Sequence, residues 1–93
     1  MHLIGIEVSL HFYHAPSLKE KRRIVNSILD TTRHKYEIST AEVKDHDSLV
    51  RGSLGFGLVT NSLKHGDAVL QRVINYLDIQ SEVEITNIDW LEI

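Results

Sequence analysis

Five bulky apolar residues, Ile4, Ile6, Val8, Leu10 and Phe12, stand at strict two-residue intervals near the start of the chain, with Gly5, Glu7, Ser9 and His11 between them. A period of two belongs to a strand whose side chains alternate between faces, one dry and one wet. Such a strand requires partners in a sheet and a cover on one side only. His14-Ala15-Pro16 break it, and Ser17-Leu18-Lys19-Glu20 reads as a capping box, with Ser17 at the N-cap and Glu20 reaching back to it. Leu18, Val25, Ile28, Leu29, Thr32 and Tyr36 then keep helical spacing, which predicts an amphipathic helix over 17–35.

The rest of the chain repeats this plan. Residues 37–44 predict a second strand, and the polar run KDHDSLVR a hairpin connection. In GSLGFGLVT, Leu54, Phe56 and Leu58 share one parity while Ser53, Gly55 and Gly57 hold the other, giving a strand with one bulky face and one nearly bare. Asn61 or Ser62 caps a second helix with the stripe Leu63, Leu70, Val73, Ile74 and Leu77, ending near Asp78, and Gly66 weakens its start. Val83, Ile85, Ile88 and Trp90 change parity after Ile85, the mark of a final strand with a bulge.

Two β-α-β halves joined by a hairpin, with helices enough for one sheet face, predict an α+β ferredoxin-like sandwich. The antiparallel sheet is expected in the order 4-1-3-2, as one domain over residues 1–93. The start of the first helix and the hairpin loop then share one end of the sheet, and the start of the second helix lies at the other. No apolar stretch approaches the ~20 residues that span a bilayer, and the N-terminal segment lacks the features of a secretory signal. With no cysteine in the chain, a cytoplasmic protein without disulfides or thiolate metal sites is expected.

Charge supplies the main functional clue. Lys19, Lys21, Arg22 and Arg23 crowd the first two turns of the first helix, where the helix dipole is already positive and cations are disfavoured by some tenths of a kcal/mol each. Helix amides and cations together suit phosphate, so these residues are candidates for contact with a nucleic-acid backbone, with Arg51 extending the basic end. The competing reading is a solvated face whose alkyl stems cover apolar surface. Six of the ten Lys and Arg residues fall between Lys19 and Lys35, whereas residues 78–93 hold five acids and no base. Such asymmetry steers an anionic partner, or pairs one copy of the chain with another.

Other candidates are weaker. RGSLGFGLV is similar to the RNA-recognition signature of a basic residue, glycines and interleaved aromatics, but parity turns Phe56 toward the helices, leaving Ser53, Gly55 and Gly57 where stacking rings belong. That bare face admits close approach of another backbone and is expected to serve a homodimer. His11, His14, Asp45, His46 and Asp47 fall at the same end of the predicted sheet without metal-ligand spacing, and loop aspartates are ordinary turn formers. With no phosphate loop, nucleophile elbow or paired-carboxylate signature, an enzyme is the less favoured reading, and no cofactor or metal is expected.

SLKEKRR, followed by AEV, by Arg51 with Leu54-Gly55, and by Asn61 with His65, resembles the YlxP-like family of small bacterial proteins, across essentially the whole length. The resemblance implies the ferredoxin-like fold. Members are often encoded beside translation and ribosome-assembly factors, which implies association with RNA or the ribosome. The positions carried over are Lys19, Lys21, Arg22, Arg23, Arg51, Asn61 and His65, the last two without an assigned role. The loop KDHDSLVRG departs from the pattern: Leu49 stands where relatives tend to have tryptophan, and the histidine is displaced to His46.

The sequence therefore predicts a non-enzymatic module that docks an RNA phosphate backbone on the start of its first helix, as a homodimer. The alternatives are a module that meets an acidic protein, and a metal- or ligand-binding enzyme using His14, His46 and Asp47.

Overall fold

A computed structural model describes residues 1–13 and 15–93. His14 lies outside the described residues, and with it any part it has in a histidine cluster. The elements are β1 (His2–Phe12), α1 (Leu18–Tyr36), β2 (Ser39–Lys44), β3 (Arg51–Thr60), α2 (Leu63–Asp78) and β4 (Val83–Glu92). The strands form one antiparallel sheet in the order β2-β3-β1-β4, the predicted order read from the other edge.

Alternation along β1 does what its sequence requires. Ile4, Ile6, Val8, Leu10 and Phe12 are buried beneath the helices, joined by Leu54 and Phe56 of β3, Val25 and Ile28 of α1, and Leu70, Val73 and Leu77 of α2. The side chains between them form an open face. The bulge expected in β4 is present: Ser9 pairs with Asn87 but Leu10 with Ile85, so Thr86 is the extra residue and Val83 and Ile85 return to the core side.

Both helices begin at a serine cap. The Ser17 Oγ accepts from the Glu20 amide and the Ser62 Oγ from the His65 amide, each at 3.2 Å. Ser62, not Asn61, caps α2. The capping box at α1 is only half made, because the Glu20 carboxylate accepts instead from Arg23 Nε at 3.0 Å. A correction is due at Gly66, which is no flaw in α2. A Cβ there would lie 2.4 Å from Ile4 Cδ1 and 3.0 Å from Thr60 Cγ2, so the missing side chain is what lets α2 sit down on β1 and β3.

Candidate functional site

The cations that open α1 divide by helical phase. Lys21 is one turn before Val25 and two before Ile28, on the inner face, and is only 1% exposed. Its ammonium donates at 2.7 Å to the carbonyls of Asp45 and Arg51 and stands 3.7 Å from Glu42 Oε2. The Phe12 ring centroid is 5.3 Å away, in range for a cation–π contact. Gly52 leaves the space, since a Cβ there would meet Phe12 Cε2 at 3.0 Å and the Lys21 ammonium at 3.5 Å. Two hydrogen bonds to carbonyls and a nearby carboxylate thus surround the ammonium, which is how a buried charge is tolerated.

This arrangement closes the β2–β3 hairpin onto α1. Asp45 takes a left-handed conformation, φ 60°, which turns its carbonyl to receive both Lys21 Nζ and the Ser48 amide. The Ser48 hydroxyl accepts in turn from the amides of Val50 and Arg51. Grouping Lys21 with the anion-facing cations is therefore corrected: it is a structural tie whose charge is spent inside the protein.

Lys19, Arg22 and Arg23 remain on the outer face of α1, all exposed. Arg23 is partly engaged, with Glu20 at 3.0 Å and Glu82 at 3.7 Å, but surface pairs of this kind are weak and exchange readily. Among the described residues neither Lys19 nor Arg22 lies within ion-pairing distance of a carboxylate. Arg51 does not extend this group. It heads β3 on the parity of Ser53 and Gly55, so its side chain belongs to the open face of the sheet, across from the helices.

The other candidates are dispersed. His46 Nε2 lies 3.2 Å from the Glu42 carbonyl, and Asp47 is exposed in the hairpin loop. His11, on the open face, meets the Tyr13 ring edge-on with centroids 5.2 Å apart. Among the described residues no three His, Asp or Glu side chains gather as a metal site. The Tyr13 phenol is hydrogen-bonded to Glu84, and that bond pushes its pKa up from the ordinary value, with desolvation and the carboxylate charge adding to it. Asn61 and His65 are exposed at the far end, where His65 borders a shallow polar depression with Tyr36, Glu37 and Ser39. They share no surface with the start of α1.

Element order, one-sided helical cover and strand order define the class first: a small ferredoxin-like α+β protein. The chain belongs to the family described as a protein of unknown function, DUF503, whose model matches residues 4–90. It is 36% identical over 91 residues to a protein of Bacillus subtilis (strain 168) described as "Uncharacterized protein YlxP", covering 95% of this chain and 99% of that one. Among solved structures it is similar to the structured domain of Drosophila melanogaster Boca, with a TM-score of 0.56 over 98% of this chain and 96% of the other. At 10% identity that likeness concerns the fold alone. The family expectation drawn from SLKEKRR is thereby met, and so is the fold. No helix among the described residues is long and apolar enough to cross a membrane.

Proposed function

We propose that the protein is a non-enzymatic binding module whose outer α1 face, Lys19, Arg22 and Arg23, docks the phosphate backbone of RNA. The observation that carries this reading is the division of the cations by phase. Packing accounts for Lys21, but nothing in the core calls for Lys19 and Arg22, which have no carboxylate partner among the described residues and stand where the helix dipole opposes them. Phosphate oxygens would offset that repulsion and meet α1's N-terminal field directly. Glu82 lies beside Arg23 and tempers its charge, which leaves Lys19 and Arg22 as the cations most open to a polyanion. RNA is preferred to other polyanions because relatives of this pattern tend to be encoded beside translation factors.

The test is a salt titration of binding to a labelled RNA, comparing the parent with the combined variant Lys19→Gln, Arg22→Gln, Arg23→Gln. Each lost phosphate contact should flatten the log–log salt slope by about 0.7–0.9, giving roughly 2 in total for three contacts that are unequally engaged. Stability in urea should stay within about 0.5 kcal/mol of the parent, as for other surface changes. A variant that binds RNA with the parent's affinity and slope would overturn the proposal.

A further inference from the structure

The open face of the sheet carries an inference independent of the α1 stripe. From the pairing registers its side chains fall into rows across β2, β3, β1 and β4. At the end nearest the chain termini, Val59 stands beside Leu3, and Leu91 lies one row in; they are 61%, 40% and 58% exposed. The floor between them is Gly57 and Gly5. The middle rows are polar apart from Val43, which lies over Gly55, and their polar groups are already matched, Lys44 Nζ to Glu7 Oε2 at 3.2 Å and Ser9 Oγ to Ser53 Oγ at 3.4 Å. Charge on this face is sorted by edge: Lys44 and Arg51 come from β2 and β3, whereas Asp89 and Glu84 come from β4.

We infer that this face is the contact between two copies of the chain, related by a two-fold axis parallel to the strands. Two in-plane axes stack the face on itself with the strands aligned. An axis across the strands lays β4 over β4, acid on acid, and sets Leu3 and Val59 against the Arg51 and His11 end. An axis along the strands keeps the apolar rows together and exchanges the edges, so that β4 of each copy covers β2 of the other. Asp89 of each copy then stands over Ala41 of its partner, on the strand that carries Lys44. Only this second arrangement satisfies the apolar and the charged residues together, and it is isologous, as a closed dimer requires. The sheets would pack about 10 Å apart, with Gly5 and Gly57 allowing close approach beside the apolar row. Four strands at about 4.8 Å by some eight residues at about 3.3 Å make a footprint of roughly 19 by 26 Å, about 500 Å² per copy and at the small end of specific two-partner interfaces. Both α1 stripes stay on the outside of such a dimer.

The absence of cysteine from the chain makes the test clean. The arrangement predicts that a double variant, Ala41→Cys with Asp89→Cys, is joined into a covalent dimer by a short bismaleimide whose reach suits sheets about 10 Å apart, whereas neither single variant is joined at the same rate. Sedimentation velocity of the parent should show a dimer at micromolar concentration. Val59→Lys, at an exposed position, should weaken association at least tenfold while leaving the circular dichroism unchanged. A parent that sediments as a monomer up to several hundred micromolar overturns the inference. So does a dimer indifferent to Val59→Lys, or one cross-linked through a single cysteine on the free edge of β4, at Thr86.

Discussion

Helices α1 and α2 perform the same topological task, each carrying the chain from one strand to a parallel one across the same face of the sheet, yet they are fastened by different physics. α2 is held chiefly by contact: its start comes so close to β1 that a Cβ at position 66 would displace Ile4 Cδ1, and Val69, Leu70, Val73 and Leu77 are buried below it. α1 buries Ile24, Val25, Ile28 and Leu29 in the same manner but adds a charged tie at its first inward turn, Lys21, bonded to the Asp45 carbonyl of the hairpin loop and the Arg51 carbonyl that opens β3. Dispersion and desolvation hold a helix against a sheet without caring what the loops do. A buried ammonium instead specifies where the hairpin must sit. The difference teaches that a run of like charges is not one feature, because helical phase assigns each member its own environment.

The contrast can be broken at either helix. Lys21→Ala leaves the Asp45 and Arg51 carbonyls and the half-buried Glu42 without their cation, which should cost about 3–5 kcal/mol in urea unfolding. Lys21→Met keeps most of the stem's volume and should recover part of that loss, separating packing from charge. If both variants are as stable as the parent, the tie is no tie. At α2, Gly66→Ala must push Ile4 Cδ1 aside and should cost about 1–3 kcal/mol by overpacking, despite the better helix propensity of alanine; a stabilised variant would show that α2 can lift off freely.

The smallest expected effect lies at the start of β4, where Tyr13 leans on Glu84. The phenol pKa is raised in the folded protein, so the neutral form is the one favoured by folding. Its small contribution is complete below pH 10, the ordinary tyrosine value, and is lost as pH climbs through the higher folded value. Spectrophotometric titration should show one phenol ionising late, and Glu84→Gln should bring it forward. An unchanged titration in that variant would remove Glu84 as the cause.

Much of this molecule follows from periodicity. The two-residue beat of β1, the serine caps, the parity of β3 and even the bulge after Ile85 are consequences of local backbone geometry, and local pattern suffices to read them. The helical phase that places Lys21 inside was also legible: it is three residues after Leu18 and four before Val25, both in the apolar stripe. The charge of its side chain hid it, because lysine inside a core is unexpected until its partners are known.

Those partners are what tertiary structure alone decided. The carbonyls of Asp45 and Arg51 come to Lys21 from 24 and 30 residues away, aimed by a left-handed Asp45 that no spacing rule marks. Likewise Gly66 looks like a weak helix start until Ile4 is brought beneath it. Periodicity sets which face a residue takes, since that depends only on dihedral angles near in sequence. What waits on that face depends on how distant segments close together, and only the packed chain can fix it.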